Sequence, residues 1–369
     1  MSRTMTLQQT RLASLDAMRG FTIAAMIMVN YPGTWDHVYG PLLHAEWNGL
    51  TPTDLIFPFF LFIVGVSIAL AYSKRMEKGL PKREMHKKIV IRSLKIFAVG
   101  MFLNLIPDFN FSDLRWTGVL HRIAVVFLVC AFLYLHTDWK TQVWIGALAL
   151  IGYWLAMTLI PTPGLGKVSL EPGANLAAWV DAQFLPGKKW QGTWDPEGLL
   201  STIPAIVTGI TGLLAGRLLF GRLSPNEKSN YLMAWGVLFV IGGYLWGLIF
   251  PINKNLWSSS FVLLTSGAAA LFLGAFYFLV DVLGKRKGTA IGIIFGANAI
   301  AVYVLADLLS LIFYRMPVGG ESLNMHFVNG LTSAGIQQEL ASWLYALLFV
   351  AINFIPAVLL YRKKIFIKL

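Results

Sequence analysis

The sequence predicts an all-α, polytopic integral membrane helix bundle of about ten transmembrane helices, with both the N-terminus and the C-terminus cytoplasmic. Three observations carry that prediction. Of 369 residues, 56% are hydrophobic and 13% charged, and the mean hydropathy of +0.64 lies far above that of water-soluble chains of this size. Ten apolar windows, each about 20 residues long, follow one another along the chain. Of the 30 Lys and Arg, 23 fall on one side, in alternate connections, at the window ends that flank them and in the two terminal segments, as the positive-inside rule produces.

The windows are 15–31, 52–73, 88–107, 116–136, 140–160, 198–220, 230–250, 257–280, 289–314 and 338–360. Asp16 and Arg19 interrupt the start of the first, and no small-residue cleavage site follows it. It is therefore expected to be a retained helix and not a secretory signal. The cytoplasmic basic residues are those of the N-terminal segment, nine within 74–95, Lys140, those of 217–228 and 285–287, and those of the C-terminal tail. Arg115, Arg122, Lys167, Lys188, Lys189, Lys254 and Arg315 fall on the other side. The net charge of +12 thus follows from topology and needs no nucleic-acid partner. A single transmembrane domain over 1–369 is expected. Within it, 161–197 forms a long non-cytoplasmic loop whose Pro161, Pro163, Gly164, Gly166, Pro172, Gly173, Pro186 and Gly187 favour irregular or re-entrant chain. No internal repeat is apparent, which weighs against an inverted-repeat transporter. The single Cys130 allows neither an intrachain disulfide nor a cysteine metal site, and no metal is expected.

Ionisable groups at membrane spans are costly and mark candidate sites. At the inner end of the first window Asp16 and Arg19, three apart, can pair on one helix face. The basic run Lys74 to Lys95 suits either the phosphates of a cytoplasmic ligand or lipid headgroups. At the outer side the loop NYPGTWDHVYGPLLHAEWNGLTPTD (30–54) gathers Asn30, His37, His44, Trp47, Asn48 and Asp54. His44 can accept or donate a proton near neutral pH, beside a stacking ring (Trp47) and an amide (Asn48) suited to a sugar. Asp54, ten residues on, either fixes the tautomer of that imidazole or merely caps the next helix. Arg115, His121 and Arg122 lie at the same level, as do Asp195, Glu197, Asn253, Lys254, Asn255 and Trp257. Each alone would pass as an interfacial anchor. Asn298 and Asp307 are deeper, Asn298 fitting a helix–helix hydrogen bond and Asp307 having no partner legible in the sequence.

At these residues the chain resembles the heparan-alpha-glucosaminide N-acetyltransferase family, lysosomal membrane enzymes with bacterial relatives. The segments are RLASLDAMRG (11–20), VNYPG (29–33), HAEWNGLTPTDLIFPFFLFIVGVSIAL (44–70), RWTGVLHRIAV (115–125), PINKNLWSSS (251–260) and GANAIAVYV (296–304). The resemblance implies that His44 is the catalytic residue, supported by Asp54 and Asn30. It also implies that Trp47, Asn48, His121, Arg122, Asn253, Lys254, Asn255, Trp257 and Asn298 hold substrate or donor. It implies acetyl-CoA as donor, an amino sugar as acceptor, the lipid bilayer as surroundings, and a homodimer as a plausible assembly. The expected location is a bacterial cytoplasmic (inner) membrane with the His44 loop extracytoplasmic. Two other classes fit the residues alone: a transporter or channel for a small polar or anionic solute, and an O-acyltransferase acting on an envelope glycan.

Overall fold

The structure, a computed structural model, describes residues 12–106 and 109–367. Arg3, Arg11, Lys368 and the end of the third window at 107 lie outside the described residues. The described chain is helical apart from a two-stranded hairpin, Pro317–Val318 with Glu321–Ser322. Its helices are α1 (Ala13–Asn30), α2 (Ile56–Glu77), α3 (Lys82–Leu105), α4 (Val119–His136), α5 (Trp139–Leu159), α6 (Leu176–Phe184) and α7 (Leu199–Phe220). They continue with α8 (Pro225–Gly247), α9 (Ser259–Tyr277), α10 (Thr289–Ala297), α11 (Ala299–Arg315), α12 (Leu323–Ser333) and α13 (Gln338–Arg362). Each apolar window finds a helix at its place. Among the described residues, six helices are long and apolar enough to cross a membrane: α2 with its 3-10 lead-in, α4, α5, α7, α9 with its π-turn, and α13. The chain is an integral membrane protein.

The ninth window, expected as one span over 289–314, is instead two helices bent by 82° between Ala297 and Ala299. At the break, Asn298 has non-helical φ −131° and ψ 40°, and its side chain bonds other chain segments, as described below. Such local competition with the helix is characteristic of Asn. The bent pair would make a seventh span.

Glycines set the tightest helix contacts, as expected where lipid removes most of the hydrophobic drive and close backbone approach supplies the adhesion. A Cβ on Gly212 of α7 would lie 2.1 Å from the Phe62 carbonyl oxygen of α2, and one on Gly20 of α1 only 1.7 Å from that of Gly292 in α10. Gly236 and Gly267 join α8 to α9 in the same way. The interior so formed contains Ile23, Leu61, Ala124, Leu213 and Phe261, all buried. Trp144 and Leu148 on α5, and Tyr244 and Leu245 on α8, face outward, toward the hydrocarbon of a bilayer.

Helix α2 links the two functional ends. Asp54 and its 3-10 turn (Pro52–Leu55) stand at the start of α2, and Lys74 and Arg75 lie in its last turn. The loop before α7 packs at the Asp54 end, while the start of α3 and the end of α4 meet at the basic end, where the rings of His86 and His136 stack.

Candidate active site

The segment between α1 and α2 is held on both sides. The Gly33 amide donates to the Ser342 carbonyl of α13 at 3.1 Å, and the Gly49 amide to the Ile252 carbonyl at 2.8 Å. Within the segment, the Thr51 hydroxyl donates to the Leu43 carbonyl at 2.7 Å and that of Thr53 to the Pro41 carbonyl at 3.2 Å. These bonds fold the chain so that residue 44 returns to residue 54.

There His44 Nδ1 lies 2.7 Å from Asp54 Oδ1. The carboxylate can only accept, so Nδ1 carries the proton and the neutral ring keeps its lone pair on Nε2. The other oxygen, Oδ2, accepts from the Ala45 and Thr51 amides at 3.1 and 3.0 Å and from the Thr51 hydroxyl at 3.1 Å, completing a capping box with Thr51. Capping and imidazole orientation, alternatives from sequence, are thus divided between two oxygens of one carboxylate. Asp54 is 1% exposed and the His44 side chain 47%, so a fixed buried anion carries an accessible ring.

Lys254 arrives from the α8–α9 connection, with Nζ 3.0 Å from His44 Nδ1 and 2.9 Å from Nε2. A point so close to both nitrogens and in the ring plane would collide with ring carbon. The ammonium therefore stands out of the ring plane, within hydrogen-bond distance of Nε2. Nζ is also 3.9 Å from Asp54 Oδ1. Burial pushes this ammonium below the usual lysine range, against the opposing pull of Asp54 and Glu197.

The turn bearing Lys254 is built by Asn253. Its side-chain oxygen accepts from the Leu256 amide at 2.8 Å, and its Nδ2 donates to the Asn48 side-chain oxygen at 3.1 Å, tying the turn to the His44 loop. Trp257 closes the turn with φ +51°, a left-handed backbone rare for a bulky residue, and its indole N–H donates to Thr208 Oγ1 at 3.1 Å. Over its ring, 5.0 Å from the centroid, lies the guanidinium of Arg122. Arg122 is 2% exposed. Its Nη2 donates to Ser201 Oγ and to the Gly198 carbonyl, while Nε and Nη1 have no hydrogen-bond partner among the described residues. A buried cation with two uncommitted donors is expensive in a membrane interior.

A rigid wall adjoins this centre. Arg115 donates to both Asp195 oxygens at 2.7 Å and to Glu197 at 2.7 Å. Burial works to raise the Asp195 carboxyl, but the Arg115 bonds and charge outweigh it and bring it down to about 2. Asp181 on α6 receives the Asp195 and Leu199 amides, and there burial prevails, raising its carboxyl to about 6. Trp47 donates to the Leu170 carbonyl at 3.1 Å and meets Trp194 edge-on at 5.6 Å, so the 161–197 loop is anchored to the site.

The predicted site residues thus divide. His44, Asp54 and Lys254 are in mutual contact. Trp47, Asn48, Asn253, Arg122 and Trp257 surround them or build their supports. Asn30 is exposed at the end of α1, and no described hydrogen bond joins it to His44 or Asp54. Asn255 is half-buried beside Lys254. His121 is buried between α3 and α4, its ring edge-on to Phe97 at 4.6 Å, and its Nε2 has no hydrogen-bond partner among the described residues. Asn298 lies at the basic end and bonds the Ile365 carbonyl and Ile367 amide. Asp307 accepts a hydrogen bond from Tyr31.

The basic end holds a second feature, a cavity of about 650 Å³ whose lining includes Arg19, Ser67, Arg75, Lys88, Arg92 and Lys95. Its cations come from α1, α2 and α3, and only the run within 74–95 was conspicuous in sequence. Arg19 spans the helices by donating to Asp16, Ser67 and the Gly296 carbonyl. A small apolar void bordered by Phe57, Phe60, Ile123, Ile300 and Tyr303 shares Phe60, Ile123 and Ile300 with the cavity. Phe57 touches Trp257 at a centroid distance of 5.1 Å. The void therefore lies between cavity and His44 centre.

Residues 11–182 match the family model described as "Heparan-alpha-glucosaminide N-acetyltransferase, catalytic", a stretch that contains His44, Asp54 and Arg122. The chain is 30% identical to the heparan-alpha-glucosaminide N-acetyltransferases of Homo sapiens and of Mus musculus, in each case over 97% of its own length. It spans 60% of the length of those relatives. Along nearly its whole length the chain is thus similar to the heparan-alpha-glucosaminide N-acetyltransferase family.

Proposed function

We propose that this chain is a transmembrane N-acetyltransferase that moves acetyl from acetyl-CoA, bound at the basic end of the bundle, to the amino group of an amino sugar at the His44 end. The observation that carries the proposal is the His44–Asp54 pair with Lys254 beside Nε2, joined through α2 to a large basic cavity at the opposite end. At about 1.5 Å per residue, Phe60 lies about 9 Å and Ser67 about 20 Å along α2 from Asp54. A donor with an anionic nucleotide and a long thioester arm fits that layout, its phosphates among the cavity cations and its arm directed along α2 toward the His44 end, where the small void must widen to admit it. The charge asymmetry supports ten spans, cytoplasmic termini and a His44 loop outside the cytoplasm, in a bacterial inner membrane. The names of the relatives support an amino-sugar acceptor, and Trp47 and Asn48 supply a ring and an amide for it.

In the reaction the acceptor nitrogen bonds to the thioester carbon, the C–S bond breaks, and the sulfur leaves as CoA thiolate, to be protonated. His44 Nε2 takes the proton lost by the amine, while Asp54 stabilises the imidazolium through Nδ1. Alternatively Nε2 first accepts the acetyl and passes it on, through the same atoms. Arg122, with two uncommitted N–H groups, is better supplied than Asn30 to donate to the developing oxyanion.

His44→Ala in membranes or detergent, assayed with acetyl-CoA and a panel of amino sugars, should lose about 10²–10⁴-fold in rate. Rates near wild type would sink the assignment. Labelled acetyl-CoA without acceptor separates the two routes: label retained on His44 supports the acetyl-imidazole, and none supports direct transfer. Solute uptake independent of CoA would favour the transporter, and acetyl esters in place of amides would favour the O-acyltransferase.

A further inference from the structure

Helix α13 ends at the basic end with a backbone reversal. The Ile365 amide donates to the Leu360 carbonyl at 2.9 Å and the Lys364 amide to that of Tyr361 at 3.0 Å, while Lys364 adopts φ +55°. This is the Schellman pattern of helix termination, here without the usual glycine, and it turns the chain back toward the bundle.

Residues 365–367 are then gripped by one side chain. Asn298 Nδ2 donates to the Ile365 carbonyl at 3.0 Å, and the Ile367 amide donates to Asn298 Oδ1 at 2.8 Å, so the amide group copies a backbone pairing. Asn298 is 2% exposed and sits at the 82° break, so the break frees the very side chain that holds the strap. Phe366 and Ile367 in turn line the basic cavity. One part of the cavity is thus aromatic and aliphatic and another cationic, the two chemistries of a nucleotide: a flat base and its phosphates.

We infer that the strap 365–367 is a wall of the donor site that packs against the adenine of CoA, with Asn298 as its positioning residue. The inference rests on the reading of the basic cavity as the donor site. It divides recognition of the nucleotide in two, the base at the strap and the phosphates at the cations, with the pantetheine arm leading away from both toward the His44 end.

The test uses the full chain in detergent micelles or nanodiscs, with CoA and acetyl-pantetheine, which lacks the nucleotide, as the probes. Phe366→Ala is expected to weaken CoA binding about tenfold, in the range of a lost base–aromatic contact, and Asn298→Ala to weaken it similarly by releasing the strap. Phe366→Trp should restore the affinity, and acetyl-pantetheine turnover should be the same in all variants. CoA binding by Phe366→Ala as tight as wild type overturns the inference, and so does an equal loss with both probes. Absence of CoA binding by the wild-type chain overturns the donor reading itself, a result distinct from unchanged affinity in the variant. The unliganded melting temperature of each variant reports whether it folds. Phe366→Ala, at a half-exposed position, keeps the test available should Asn298→Ala not fold.

Discussion

Asp54 serves two partners through two oxygens, so its substitutions separate function from fold. Asp54→Asn keeps one oxygen for the cap, but its NH₂ cannot accept from His44 Nδ1–H. The ring should then adopt the other tautomer or turn away, and activity should fall about 10²–10⁴-fold, by the logic of a triad whose acid is replaced by an amide. A rate assay together with a thermal melt checks this; a large loss of stability with little loss of rate would mean that the cap is the principal role. Arg122 supports the opposite test. Among the described residues its buried guanidinium has no ion pair, and two of its N–H groups are uncommitted, an arrangement that costs stability. Arg122→Met should therefore leave the melting temperature equal or higher while activity drops by about two orders of magnitude, in line with loss of an oxyanion donor. Of this centre, His44 and Asp54 were legible in sequence because they are ten residues apart on one loop. The position of Lys254 beside the His44 nitrogens was not, since it depends on how two helix connections 210 residues apart meet.

At the scale of elements, the wall before α7 has a pH dependence with two signs. Asp195, held at about 2 by Arg115 against about 3.9 when unfolded, stabilises the fold above the unfolded value, and that contribution is lost as pH falls through about 4 to 2. Asp181, raised to about 6 by burial, binds its proton more tightly when folded. Its contribution is present below about 4 and is lost as pH rises through 6. Melting temperature against pH in detergent should show both limbs, and Arg115→Ala should erase the acidic one at a cost of about 3–5 kcal/mol, since it leaves Asp195 buried and unpaired. Among the helices, Gly212→Val would force a side chain into the Phe62 carbonyl, and the α2–α7 contact should loosen by about 1–3 kcal/mol or more. Helix positions were readable from apolar runs because bilayer thickness fixes their length. The 82° break was not, because GTAIGIIFGANAIAVYV is apolar throughout and the bend arises from where Asn298 finds its partners. His121 shows a further limit: its motif did not reveal that the ring would be buried against Phe97 on the α3 side of α4.

For the whole molecule, the donor reading predicts that CoA raises the melting temperature. At a hundred times its Kd the stabilisation should be about 2.7 kcal/mol, and Arg75→Glu or Lys95→Glu should diminish it without touching the His44 centre. An unchanged shift in both variants would remove the cavity from consideration. The narrow void between cavity and His44 has a further consequence. A protein that offers a route through the bilayer for an acyl group also offers one for protons, and the cell's membrane potential acts on every such route continuously. Between the two polar ends stand Phe57, Phe60, Ile123 and Ile300, around a gap too small and too apolar to hold a file of water. Such a dry constriction is an electrical insulator. Purified chain in sealed vesicles should hold an imposed pH gradient as long as empty vesicles do, and polar substitution at Ile123 or Ile300 should make them leak.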